Sequence, residues 1–256
     1  MCNPDKPVGR KKIITPPLTK IIAENHKIPV FQPGKSIEIK EQLKKLKPDI
    51  AIIAAYAQII PEEILDIPKF GTFGIHPSLL PYYRGATPIQ TAILNGKKET
   101  GVTIFKVDKF VDHGPILSQK ECDIDKNDTY ISLEKKLAEL GADLLIEFLE
   151  NLTFQELEVG LPKIELKSQD ESRATYTKKN KTDDGYIPYE DIKHAQSEDK
   201  NLASEISKKV RALGHEPGVW TVRDGKRMKL LEVSLIPDGL FHIKKIHIEG
   251  KRPQNV

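Results

Sequence analysis

Cysteine is nearly absent: Cys2 and Cys122 are the only two in 256 residues. Two thiols so far apart exclude a disulfide framework and a cysteine-rich metal site, and both read as reduced side chains without a role. Long apolar runs are missing too. Nowhere do 18 or more apolar residues follow one another, and the opening MCNPDKPVGR lacks the charged-then-apolar pattern of a secretory signal, so neither a membrane span nor export is indicated. A cytoplasmic protein with no membrane partner is expected. There is no internal repeat or low-complexity segment. Ser78 has no G-x-S-x-G elbow around it, which argues against acyl-enzyme chemistry.

What is present is enough chain for a full α/β core and a smaller second domain. The net charge of +3 hides basic clusters at Arg10-Lys11-Lys12, at 178–181 and at Lys226-Arg227, all outside the apolar runs. Such clusters suit a polyanionic partner, although lysine-rich loops are also simply solvated. Prolines ahead of Leu18, Ile21 and Ile22 predict a helix within 15–27, followed by a short strand at 29–31. A helix over 36–47 has Ile37, Ile39, Leu43 and Leu46 as core candidates. The continuous apolar run 49–55 predicts a parallel strand covered on both faces. A short helix at 61–66, a strand at 71–75, a helix at 87–94 and strands at 100–107 and 115–124 follow. Thr129 caps a long helix over 130–149, with Ile131, Leu133, Leu137, Leu140, Leu144, Leu145 and Leu149 along its apolar face. This alternation predicts an α/β, Rossmann-like, mostly parallel sheet with helices on both sides and room for an antiparallel edge.

From Pro162 to Asp184 the apolar density falls, which marks a linker. Beyond it a helix over 200–213 and strands at 219–222, 228–236 and 240–248, with Asp224-Gly225 and Asp238-Gly239 as hairpin turns, predict a small α+β or barrel-like domain. Chemistry concentrates in GTFGIHPSLLPYYRGATPIQTAILNGKKETGVTIFKVDKFVDHGPIL. Here His76 follows a strand at the carboxyl end, where open α/β sheets place their sites, and a rigid proline-containing loop comes next. Asp112, beside Gly114 at the end of another strand, is free to turn inward and meet it. A histidine titrates near neutrality, and a neighbouring carboxylate favours its charged form and fixes its orientation. His113 points elsewhere on an extended turn and reads as a bystander.

The run HPSLLPYYRGATPIQTAILNG, followed by TGVTI and a D-x-G turn, resembles the signature of the formyltetrahydrofolate-dependent formyltransferases. NPDKPVGRKKIITPP, PVFQP, AAYAQIIPEEILDIPKFG, ATYTKK, PGVWTVRDGKRMKLLEV and IHIEGKRP are similar to the branch acting on methionyl-tRNA, so the resemblance covers most of the chain. It implies a formyltransferase domain over 1–165, a linker over 166–184 and an OB-like, tRNA-binding domain over 185–256. The implied reaction moves the formyl group of 10-formyltetrahydrofolate to the free amine of methionyl initiator tRNA, without metal, in a monomer. His76 and Asp112 would be catalytic. Tyr56, Gln58, Ile59, Ser78, Leu79, Leu80, Pro81 and Asp108 would line the folate cleft. Arg10, Lys11, Lys12, Arg84, Lys226 and Arg227 would meet tRNA phosphates, with Lys251 and Arg252 extending that surface, while Trp220 belongs to the core.

Two departures stand out. The family's catalytic asparagine falls on Gly74, which has no side chain, so weakened activity is expected. The family's opening strand–helix–strand is not found before NPDKP, which suggests an incomplete sequence or an upstream start. The alternatives are a formyltransferase acting on an amino sugar nucleotide or glycinamide ribotide, and a decayed member that at best binds tRNA.

Overall fold

The computed structural model describes residues 1–9, 11–56, 58–151 and 166–256. The end of the first expected domain and residues 162–165 of the expected linker therefore lie outside the described residues. The elements are β1 (Lys6–Val8), β2 (Ile13–Thr15), α1 (Leu18–Asn25), α2 (Lys40–Leu46), β3 (Ala51–Ala54), α3 (Glu62–Leu65), β4 (Thr72–His76), β5 (Arg84–Gly85), α4 (Pro88–Leu94), β6 (Glu99–Lys106), β7 (Ile116–Asp123), α5 (Tyr130–Asn151), β8 (Tyr176–Thr177), α6 (Tyr189–Ser197), α7 (Lys200–Leu213), β9 (Val219–Arg223), β10 (Lys226–Leu235), β11 (Phe241–Ile248) and β12 (Gln254–Asn255). No helix among the described residues is long and apolar enough to cross a membrane.

The described residues form two compact units. The first holds Met1–His76 and Ile104–Leu117 with residues 166–168. Hydrogen bonds order the sheet β3-β4-β6-β7. β3 and β4 pair in parallel, Ile53 opposite Gly74, and Val107 N–H donates to Thr72 O on the other side of β4. Lys106 N–H donates to Pro115 O where β6 turns back into β7. The sheet is thus mixed, parallel at β3–β4 and with β7 turning back at its edge, as the expected antiparallel edge allows. Phe73, Ile104 and Phe105 of its strands are buried, as are Ile39, Ile64, Leu65 and Phe70 of the same unit.

Several expectations need correction here. β3 ends the hydrogen-bonded order and is half-buried to exposed, not covered on both faces. The expected strand at 29–31 does not form. Pro29 and Pro33 cannot donate to a ladder, and Phe31 O instead accepts a bond from Cys2 N–H. Over 36–47 a 3-10 turn, Ser36–Ile39, precedes α2, and of the four core candidates only Ile39 is buried. The β1–β2 hairpin was not legible because all six of its residues are exposed, leaving no apolar alternation to read.

The second unit holds Pro77–Thr103, Ser118–Asn151 and Gln169–Val256. Its α5 begins where expected: Thr129 Oγ1 accepts from Ser132 N–H, and Ser132 Oγ accepts from Thr129 N–H in return. Leu133, Leu137 and Leu144 are buried, but Ile131 and Leu149, at the edges of the apolar stripe, are exposed. Asp199 caps α7 by accepting from Leu202 N–H, and Ala203, Ile206, Val210 and Leu213 are buried with helical period. α7 packs on α4, α6 and the antiparallel sheet β12-β11-β10-β9. Arg223 pairs with Lys226 across Asp224-Gly225, both at positive φ, as a two-residue hairpin of the primed kind requires. α6 escaped the sequence reading because only Ile192 and Ala195 of its nine residues are buried.

Asp128, just before α5, is 5% exposed. Burial works against its charge, but hydrogen bonds from Lys136 Nζ, Ser132 Oγ and the Asp125 backbone N–H outweigh that and hold the carboxyl below its usual range. A carboxyl with a folded pKa below its unfolded value stabilises above the unfolded value and loses that contribution as pH falls through the folded one. The melting temperature is therefore expected to drop more steeply below about pH 4 in the wild type than in Asp128→Asn, as thermal denaturation from pH 6 to 3 will read.

Candidate active site

The sequence TFGIH forms β4, whose neighbours in the sheet are β3 and β6, so that its last residue, His76, stands at the carboxyl end of a parallel strand. Thr72 secures the start of the strand by donating its hydroxyl to Leu65 O. The His76 side chain is 8% exposed, and its Nδ1 lies 3.5 Å from Asp112 Oδ2. That separation exceeds an ordinary N–H···O bond, and catalytic hydrogen bonds are often this long in the absence of substrate. Asp112 comes from the turn between β6 and β7, at φ 48°. Few L-residues adopt this left-handed conformation, and such outliers persist only where the surroundings hold them. Gly114 makes the turn possible: a Cβ there would lie 1.8 Å from Lys106 O. Gly74 is also filled around. A Cβ on it would lie 2.7 Å and 2.8 Å from the Cε1 and Cζ of buried Phe105 and 3.2 Å from Val107 Cγ2.

The loop after β4, in the second unit, is braced by residues the sequence reading did not single out. Thr103 Oγ1 donates to Ser78 O and accepts from Leu80 N–H and from Gln119 Nε2, and Gln119 Nε2 also donates to Leu80 O. Ser78 is fully buried and its hydroxyl donates to Tyr82 O; Leu80 and Pro81 are buried, and Leu79 is half-buried. Of the other expected folate-cleft residues, Gln58 Oε1 accepts from Ser36 N–H, and the Ile59 side chain is 93% exposed. The Tyr56 hydroxyl is enclosed without a hydrogen-bond partner among the described residues. Burial, with a smaller contribution from Cys2, pushes that hydroxyl's pKa up.

A strand-end histidine facing a carboxylate is the arrangement on which the comparisons bear. Residues 1–149 match the model of the Formyl transferase family. The chain belongs to that family. Methionyl-tRNA formyltransferase of Caldicellulosiruptor saccharolyticus is 38% identical over 98% of this chain and 83% of its own length. Its counterpart from Thermotoga maritima is 42% identical over 91% of this chain and 70% of its own. Among solved structures, HypX from Aquifex aeolicus in complex with tetrahydrofolic acid shares the fold at a TM-score of 0.62 and 19% identity, over 86% of this chain; the chain spans 39% of HypX. A 4-N formyltransferase from Francisella tularensis shares it at a TM-score of 0.64 and 19% identity, over 83% of this chain and 80% of that one.

Within this formyl transferase the residues expected at tRNA lie in different settings. Lys11 and Lys12 are exposed in the β1–β2 turn, where Lys12 N–H donates to Gly9 O; Arg10 lies outside the described residues. Lys226, Lys251 and Arg252 are exposed. Arg227 lies over the Trp220 ring, 4.0 Å from its centroid, and Trp220 is half-buried with Nε1 donating to Thr182 O. Arg84 differs from all of these, being 0% exposed. Its Nε donates to Gln169, Nη1 to Glu171 and Tyr176, and Nη2 to Gln169 and Glu171. All five guanidinium N–H groups are thus used within the protein, and none is left for a phosphate. The hydrogen bond to Glu171 raises its pKa further above the usual range, against the effect of burial. Arg84→Ala is expected to destabilise the second unit by about 3 kcal/mol, the lower end for a broken buried pair because Glu171 stays half-exposed; urea unfolding measures it.

Proposed function

We propose that this chain transfers the formyl group of 10-formyltetrahydrofolate to the free α-amine of the methionine carried by initiator tRNA. The observation that carries the reading is the buried His76 at the end of β4 with Asp112 facing it, in a chain whose relatives over more than nine-tenths of its length are methionyl-tRNA formyltransferases. The amine nitrogen attacks the formyl carbon, and the carbonyl electron pair moves to oxygen. His76, as imidazolium, donates a hydrogen bond to that oxyanion, and Asp112 balances the imidazolium charge. Collapse of the tetrahedral intermediate breaks the bond to N10; the proton lost by the amine reaches N10 by way of the His76–Asp112 pair, and tetrahydrofolate leaves.

Residues 1–165 carry this chemistry and 185–256 hold the tRNA. The exposed Lys11, Lys12, Lys226, Lys251 and Arg252 supply phosphate contacts that give affinity without reading sequence. Arg84 has no part in that set and acts from within the fold. Leu79, Tyr56, Gln58 and Ile59 serve the folate co-substrate, while Ser78, Leu80 and Pro81 act by shaping the loop.

The test supplies 10-formyltetrahydrofolate and compares methionyl initiator tRNA with an amino sugar nucleotide as acceptor. Transfer to the tRNA, with affinity that falls as salt rises, supports the reading. Transfer to the sugar nucleotide alone moves the chain to another acceptor class, and transfer to neither from a cooperatively folded protein removes the activity.

A further inference from the structure

The turn between β6 and β7 contains a second histidine–carboxylate pair, His113 with the Asp108 that the family resemblance places at the folate cleft, to which the proposed reaction assigns no chemical step. His113 Nδ1 lies 2.6 Å from Asp108 Oδ2, and Asp108 Oδ1 accepts from Phe110 N–H at 2.9 Å. The Phe110 ring meets the His113 ring edge-on at 5.2 Å and 69°. One carboxylate therefore joins both sides of the turn from which Asp112 projects. An ionised carboxylate only accepts, so Nδ1 carries the proton in this bond whether the imidazole is neutral or charged.

Asp112 is held at φ 48°, a conformation that an L-residue keeps only when its surroundings impose it. Apolar burial contributes little to imposing it, since Phe110 is 57% and Val111 63% exposed. Polar closure by Asp108, and the close approach of Gly114 to Lys106 O, do more.

We propose that His113, through its bond to Asp108, is a positioning residue that keeps Asp112 within reach of His76. The kinetic part rests on the reaction proposed above. Loss of the clasp lets the turn relax toward ordinary backbone angles and carries the Asp112 carboxylate away from the imidazole. A displacement of about 1 Å at a reacting group can cost on the order of 100-fold in rate.

The experiment compares wild type, His113→Ala and His113→Asn, whose amide N–H can replace Nδ1–H at Asp108. Formyl transfer kinetics, melting temperature and backbone amide exchange over 107–114 are measured on each. For His113→Ala the expected result is a kcat lower by about 10- to 100-fold, KM for both substrates within about twofold, an unchanged melting temperature and faster exchange in the turn. His113→Asn is expected to recover most of both the rate and the protection. A His113→Ala variant with wild-type kcat overturns the proposal, as does equal impairment of the two variants with unchanged exchange. A wild type that formylates nothing removes the proposed reaction only. The clasp is then judged on exchange alone, where unchanged protection in His113→Ala rejects it.

Discussion

His76→Ala is expected to lower kcat for formyl transfer by about 10²- to 10⁴-fold, the range lost with a positioned proton-transfer or oxyanion-stabilising group, with little change in tRNA affinity. The side chain is buried at the end of β4 beside a carboxylate, so its loss removes the imidazole that faces Asp112. His76→Asn keeps most of the volume and one donor, and separates a folding defect from a chemical one. Asp112→Asn keeps the shape of the carboxylate and removes its charge, so it should fall between His76→Ala and wild type. Single-turnover transfer from 10-formyltetrahydrofolate reads all three. Residual activity within tenfold of wild type in His76→Ala would place the chemistry elsewhere.

The pair was legible in the sequence because both members depend on local rules: a histidine closing an apolar strand, and an aspartate two residues before a glycine. Its supports were less legible. Aspartate tolerates the left-handed region without a sequence mark, so the turn read as extended and His113 as incidental. Arg84 sits in a polar, proline-containing loop and looked exposed, but its partners Gln169, Glu171 and Tyr176 are 85 to 92 residues further along. Pairings at such separation leave no periodicity to read. Thr103 was hidden likewise, inside a strand pattern that reports burial and not the three hydrogen bonds of its hydroxyl. The covered strand at 49–55 failed for a different reason: apolar residues give strand length and propensity, but not the number of neighbours a strand has in its sheet.

Gly74→Asn, which would restore the amide the family resemblance places there, is expected to give no gain on its own. The structure supplies the reason: Phe105 has the space. A Cβ at 2.7 Å and 2.8 Å from its ring forces a 4%-exposed phenylalanine to move, and overpacking of this kind costs about 1–3 kcal/mol. Gly74 and Phe105 are thus matched, small on β4 against large on β6, and a change to one alone is misfitted. Phe105→Val alone opens a cavity and should cost less than the roughly 3–5 kcal/mol of a Phe→Ala change. The double variant Gly74→Asn/Phe105→Val refills part of that cavity with the amide, and its melting temperature should exceed the sum of the two single effects. If the amide then reaches the oxyanion, kcat rises above wild type by up to about 10²- to 10³-fold, the usual value of one such donor. A kcat raised in Gly74→Asn alone at unchanged melting temperature would mean that the ring yields freely. A stable double variant with no gain in kcat would mean that the amide either does not reach the oxyanion or adds nothing to what the His76–Asp112 pair already does.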